Sequence, residues 1–358
     1  MLRCPRCSGI TVLESLDCAS CGAAVGFHPP TLTMQQADPA GVEIGGRTWV
    51  PCSNRTWRCN WLVADDAGAA QCMSCRLVRR RPEASDTLAQ EKLADASTVQ
   101  RRLLVQLAEL GLPVDPFYER EGGLAFDLLS SFSGQGRVTI GHANGVITID
   151  LVETLDDYRE ALRIRMREPY RTMLGHFRHE VGHYYQWILV EQTAWIDECR
   201  EVFGDERASY SDALDRHYRS GAPEGWEQSY ISEYATMHPW EDFAESFAHL
   251  LHISDTLSTA AAAGLALQAS RVDGVAAADV VPRSSYRDAT TSEMLADWYW
   301  LSLLFNRVNH AMGRGDLYPF TLNEAVVRKL AFVHRVVQDV ARRTTGEPIL
   351  SCRPIARG

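Results

Sequence analysis

The chain has 358 residues, 46% of them hydrophobic and 23% charged, which is enough to bury a substantial core in one large domain with something smaller beside it. Its formal charge of -10 divides into +3 over residues 1–82 and -13 over the remainder, and an acidic main body argues against nucleic acid as the principal ligand, because phosphate contacts require clustered cations. No apolar run approaches the roughly 18 residues a membrane helix needs, and MLRCPRC lacks the apolar stretch of a signal peptide, so the expectation is a cytoplasmic protein that does not enter a membrane.

Eight of the ten cysteines fall in the first 75 residues, while Cys199 and Cys352 stand alone. Without a secretion signal, paired C-x-x-C knuckles read as metal sites rather than disulfides. CPRC at 4–7 and CASC at 18–21 are separated by ten residues. That spacing lets two tight turns face each other and present Cys4, Cys7, Cys18 and Cys21 tetrahedrally to one zinc, each Zn–S bond being about 2.3 Å. A zinc ribbon is therefore expected over residues 1–26, a stretch too short to build a core without metal. FHPPTLTMQQADPAGVEIGG follows, rich in proline and glycine, and predicts a linker over 27–48.

A second zinc module is expected over 49–82, with Cys52 and Cys59 as a loose pair, CMSC at 72–75 supplying Cys72 and Cys75, and Trp57 and Trp61 alongside. Four thiolates leave no open coordination position, so both of these zincs are structural. Arg76, Arg79, Arg80 and Arg81 form the one basic cluster, which reads as a solvated strand end or linker rather than a nucleic-acid contact. PEASDTLAQEKLADAST predicts a second linker or a frayed helix over 83–95, and the large domain occupies 96–358.

In that domain TVQRRLLVQLAEL places Val99, Leu103, Leu107 and Leu110 on one helical stripe. Residues 137–151, RVTIGHANGVITIDL, alternate around Asn144-Gly145 and predict a hairpin whose tight turn needs positive φ. Thr290 with Glu293 and Thr321 with Glu324 are capping boxes opening apolar-periodic runs. The aromatic run Trp298–Trp300 and the aromatic spacing near Phe332 are simplest as core packing. The expected class is α+β, helix-dominated.

HFRHEVGHYYQW at 176–187 carries the chemistry. Pro169 suits the first turn of a helix, and from there to Trp195 no proline interrupts. His179 and His183 are four apart, so both imidazoles project from one face one turn apart. Glu180, offset by one position, is placed to accept a proton from a zinc-bound water. The third ligand of a catalytic zinc is sought in EYATMHPWEDFAESFAHLLH, where Pro239 opens a second amphipathic helix. Glu241 is the expected ligand, and Glu245, one turn on, the acceptor that holds a ligand histidine's ring N–H and fixes its tautomer. His176, His249 and His252 read as core or supporting residues, and His238 as a candidate lining of the cleft.

HEVGH followed on a later helix by EDFAE resembles the gluzincin group of zinc metallopeptidases, and EDFAE with Tyr234 seven residues before Glu241 is similar to the protease domain of anthrax lethal factor. The resemblance implies that Tyr234 stabilises the oxyanion of the tetrahedral intermediate. Nearly the whole chain resembles bacterial zinc-binding metallopeptidases with an N-terminal zinc ribbon, through the second cysteine cluster around CNWLV and the C-terminal DLYPFTLNEAVVRKLAFVH. It implies a zincin-like domain and its chemistry, with one catalytic Zn2+ beside the two structural ones, but no particular substrate; the expected reaction, hydrolysis of peptide bonds, calls for a peptide or protein substrate. Two features depart from thermolysin-like members: 57 residues intervene between His183 and Glu241, making 197–232 an expected lid, and Glu245 replaces their aspartate. In such enzymes an extended substrate adds to a sheet edge, for which the 137–151 hairpin is the candidate. The rival readings are a non-catalytic adaptor whose zinc modules dock a protein partner, and a zinc-ribbon nucleic-acid binder. Glu180 discriminates, since a binding module has no use for a general base beside two ligands.

Overall fold

The computed structural model describes residues 2–131, 138–154, 172–272, 276–344 and 348–350. The chain divides into two units, Met1–Arg159 with Thr344–Gly358, and Glu160–Arg343.

The first unit begins with short antiparallel pairs. β1 (Leu2–Arg3) pairs with β2 (Ile10–Thr11), and β3 (Val25–His28) with β4 (Thr33–Gln36). β5 (Val42–Ile44), β6 (Arg47–Pro51) and β7 (Leu62–Ala64) form a three-stranded sheet. Residues 27–48, expected as a linker, are thus built into sheet. Val25, Phe27, His28 and Met34 are buried, with the Phe27 ring 5.5 Å from that of Trp61. Pro29 and Pro30 belong to a tight turn between paired strands, which is where fixed φ values are tolerated.

After α1 (Met73–Leu77) and β8 (Val78–Arg80) comes α2 (Thr87–Glu109). α2 begins inside the stretch expected as a linker or a frayed helix, and the helical alternative holds from Thr87 because the Asp86 carboxylate caps it by accepting from the Ala89 N–H at 2.9 Å. Its small side chains Ala89, Ala94 and Ala96 are buried before the leucine stripe starts. The four arginines of the basic cluster are engaged within the chain. Arg76 stacks on Tyr118, Arg79 donates twice to Asp127 (3.0 and 2.7 Å), Arg80 lies 3.8 Å from Asp127 and Arg81 donates to the Cys75 carbonyl.

β9 (Ala125–Leu129), β10 (Gly141–Ala143) and β11 (Val146–Asp150) complete a sheet of order β10-β11-β9-β8. β10 and β11 are the predicted hairpin, with Asn144 at φ 48° and Gly145 at φ 85°. A Cβ on Gly145 would meet the Gly122 carbonyl at 2.4 Å, so both the turn and the close approach demand glycine. β11 continues into parallel pairing with β9, and Phe126, Leu128, Ile147 and Ile149 are buried with Leu103, Leu104 and Leu107 of α2.

The second unit is helical in its described residues: α3 (Met173–Tyr185), a π-helical turn (Gln186–Glu191), α4 (Trp195–Phe203), α5 (Tyr210–Ser220), α6 (Pro239–Ala262), α7 (Thr291–Ala311) and α8 (Glu324–Arg343). Pro169 and Cys352 lie outside the described residues. The observed cap of α3 is Thr172, whose hydroxyl accepts from the Gly175 N–H at 3.0 Å. Thr290 and Glu293 form the predicted reciprocal box. At α8 the capping group is Asn323 rather than Thr321: Asn323 Oδ1 accepts from the Val326 N–H at 3.0 Å, because the helix starts at Glu324. Of the aromatic run, Trp298 is buried but Tyr299 is 60% exposed, because α7 packs only one face. Phe332 is fully buried against Phe203 and Phe243. Among the described residues, no helix is long and apolar enough to cross a membrane.

Candidate metal centres

The cysteine knuckles explain themselves locally. In the first, the Cys4 N–H donates to the Gly9 carbonyl and the Ser8 N–H returns to that of Cys4; Cys18, Gly22 and Ala23 repeat the pattern. In the second set the irregular Cys52–Cys59 spacing is a 3₁₀ turn, Ser53–Trp57, closed by Arg58 at φ 64°. Sulfurs held tetrahedrally about 2.3 Å from one zinc stand about 3.8 Å apart. Cys4 and Cys21 are 3.8 Å apart, Cys7 and Cys18 3.7 Å, Cys52 and Cys75 3.8 Å, and Cys59 and Cys72 3.6 Å. The backbone N–H groups of Cys21 and Ser20 lower the Cys18 thiol to about 6, and the neighbouring thiols, Cys59 foremost, lower Cys52 far below its ordinary value. Both sets fit zinc as closed four-sulfur sites.

The third cluster needs two helices to meet. Gly182, inside HEVGH, lets α3 press against α6: a Cβ there would stand 3.0 Å from the Ala244 Cα and 3.2 Å from its carbonyl oxygen. This approach gathers His179, His183 and Glu241, whose candidate ligand atoms lie within 4.8 Å of one another. His179 Nε2 is 3.2 Å from His183 Nε2 and 2.9 Å from Glu241 Oε2, which is 3.4 Å from His183 Nε2. Ligand atoms about 2.0–2.1 Å from a tetrahedral zinc are separated by about 3.3 Å.

The protons make the same point. Burial pushes the Glu245 carboxyl up, but the hydrogen bond and charge of His179, with His249 and Ser232, together leave it below its ordinary value, a carboxylate. Burial lowers His179, but its hydrogen bonds to Glu241 and Glu245 prevail and hold it well above its ordinary value, so it donates Nδ1–H to Glu245 at 2.7 Å and turns Nε2 to Glu241 at 2.9 Å. A metal ion bound at Nε2 would take the place of the proton there. Ser232 braces the arrangement, donating to Glu245 Oε2 at 2.7 Å while accepting from the Ala235 N–H at 3.1 Å.

Glu180 is buried next to the three candidate ligands. Its Oε1 is 3.3 Å from His176 Nε2, and its Oε2 is buried with no hydrogen-bond partner among the described residues. Burial raises this carboxyl, but the His176 hydrogen bond and the histidine charges win and hold it below its ordinary value. The Tyr234 ring lies 6.0 Å from that of His179. Burial, then the Glu241 charge, pushes its phenol well up, so it remains a donor.

The remaining histidines are committed elsewhere. His238 caps α6, accepting from the Trp240 N–H at 3.2 Å, and donates to the Ala208 carbonyl at 3.0 Å. His249 pairs with the Tyr318 hydroxyl at 2.9 Å and His252 with Arg178. The segment expected as a lid, 197–232, carries α4 and α5, and it delivers a residue the sequence did not single out: Tyr210, whose hydroxyl donates to Glu241 Oε1 at 2.9 Å. Lys329 is another, its Nζ 2.6 Å from Asp242, next to Glu241, and 2.7 Å from the Ser229 carbonyl. The hairpin proposed as a substrate edge belongs to the first unit and the histidine helix to the second.

Two four-cysteine clusters ahead of a His-His-Glu cluster define a zinc-binding protein with a metallopeptidase-like site. The chain belongs to the family described as "Putative zinc-binding metallo-peptidase", whose model matches residues 89–336, and a zinc-ribbon domain model matches residues 1–86. It is similar to uncharacterized proteins of Mycobacterium bovis and of Mycobacterium tuberculosis strains CDC 1551 and H37Rv, each 44% identical over 346 residues, 94% of this chain and 95% of the relative. No solved structure matches it.

Proposed function

We propose that the protein is a zinc-dependent peptidase of the gluzincin type, with a catalytic zinc on His179, His183 and Glu241 and structural zincs on the two cysteine sets. The observation that carries this reading is Glu180 Oε2, a buried carboxylate oxygen without a partner among the described residues, beside three converging candidate ligand atoms. A buried acceptor left unpaired is costly to stability and is explained by a reacting proton donor that arrives with substrate.

Zinc at this site supplies a Lewis acid that polarises the scissile carbonyl and acidifies the attacking water. Glu180 Oε2 takes one proton of that water as its oxygen bonds to the carbonyl carbon, while His176 keeps the other carboxylate oxygen fixed. Tyr234, protonated by virtue of its burial, donates to the oxyanion. Glu180 then delivers its proton to the departing amine nitrogen as the C–N bond breaks. The substrate is a peptide or an unstructured protein segment.

Elemental analysis of the full chain and of Glu241→Ala, together with turnover of a decapeptide library read by mass spectrometry, tests this reading. Three metals falling toward two in Glu241→Ala are expected. Glu180→Gln should keep all three and lose about 10²–10⁴-fold in turnover. Two metals in both proteins, or turnover indifferent to Glu180→Gln, would overturn the peptidase.

A further inference from the structure

The two oxygens of Glu241 are treated differently. Oε2 faces both histidine nitrogens, whereas Oε1 is turned to the Tyr210 hydroxyl, which donates to it at 2.9 Å. We propose that Tyr210 is a positioning residue for the metal site, one that holds Glu241 Oε1 away from the metal so that the carboxylate binds through a single oxygen. The inference rests on the ligand set given above.

The phenol is well placed for this because its frame is rigid. Tyr210 opens α5 immediately after the cap Ser209, whose hydroxyl accepts from the Asp212 N–H. Its ring lies 5.3 Å from His238 and 5.9 Å from Trp240, which are themselves 5.3 Å apart. His238 is in turn tied to Ala208 and to the start of α6. The segment before α5 and the first turn of α6 are therefore joined around the tyrosine, and its hydroxyl meets the carboxylate from a fixed direction.

The consequence is chemical. A His2Glu zinc keeps its fourth position for water or substrate, and a carboxylate free to swing both oxygens onto the metal would occupy it. Outer partners of ligands also set metal affinity, typically by about tenfold or more.

Tyr210→Phe is the test, since it removes the hydroxyl and keeps the ring between His238 and Trp240. Full-length protein is prepared with zinc in the cysteine sites and cobalt(II) in the third, and both the visible cobalt spectrum and cobalt affinity are measured, with Glu241→Ala as control. The expected result is an altered d–d spectrum at full occupancy, affinity weakened about tenfold, or both. A spectrum superimposable on wild type with unchanged affinity would overturn the role of Tyr210. If Glu241→Ala also leaves the spectrum and affinity unchanged, the ligand assignment itself falls.

Discussion

Cys4 to Cys21 span 18 residues and Cys52 to Cys75 span 24, whereas His179 and Glu241 stand 62 residues apart and come from two helices. The cysteine sites take their geometry from tight turns within one short stretch of chain, the first partly exposed beside Ile10 and Val12 and the second with all four cysteines buried near Trp61 and Leu62. The His-Glu site takes it from helix packing, through Gly182 against Ala244, and from carboxylate and hydroxyl partners outside the ligands. The difference teaches which sites need metal in order to exist. Turns that carry all four ligands within one short stretch depend on the metal to hold the sulfurs together, while a helix pair closed over Phe177, Val181, Phe243 and Phe247 keeps its shape without it.

The largest effect that follows is on the second cysteine module. Cys72→Ser removes a buried ligand, and structural zinc contributes about 10 kcal/mol or more to folding. Amide exchange protection should vanish across β5 to β8 while α3 and α6 remain protected. Equal loss in both regions would erase the contrast between the sites.

A smaller effect should appear when the scaffold of the helical site is attacked with no metal ligand changed. Lys329 and Asp242 form a buried ion pair at 2.6 Å, and the lysine also stacks 4.0 Å from Tyr230. Removing one partner of a buried pair costs about 3 kcal/mol. Lys329→Met should therefore lower the urea midpoint of the helical unit and leave the cysteine sites fully loaded. A variant as stable as wild type would show that the pair does not brace Glu241.

How much of this was visible in the chain follows the same division. Knuckles and the i, i+4 histidines are local, so spacing alone brings out the clusters the structure assembles. The capping box at Thr290 is equally local. Glu241 is legible as a candidate from the amphipathic helix that Pro239 opens, whereas Tyr234 is visible only through a family resemblance, because nothing in helix periodicity says which phenol lies near the histidines. Tyr210 and Lys329 were not legible at all, since each meets its partner only after α5 and α8 have packed on α6. The linker expected at 27–48 and the undecided reading at 83–95 have a different source: four-residue strands are too short to show alternation, and α2 buries alanines that read as neutral on a polar background.

The smallest effect concerns acid. His249 is buried on α6 against the Tyr318 hydroxyl and the Phe320 ring. Burial lowers its imidazole from 6.5 to about 4, opposed by the Glu245 charge and helped by that of His179. The folded state thus keeps His249 neutral where the unfolded chain takes up a proton. Its contribution to stability is complete above about pH 6.5 and declines as pH falls toward about 4, by at most about 1.4 kcal/mol per pH unit. Urea midpoints at pH 7 and pH 5, both with excess chelator so that metal loss does not differ between them, compare wild type with His249→Gln. The wild type should lose more stability on acidification than the variant. His252, whose imidazole burial also lowers, is common to both and drops out of the difference. Equal losses would mean that the helical core tolerates a charged His249. Acid sensitivity would then belong to the metal sites alone, and the two kinds of site would differ in how they are assembled but not in how they respond to protons.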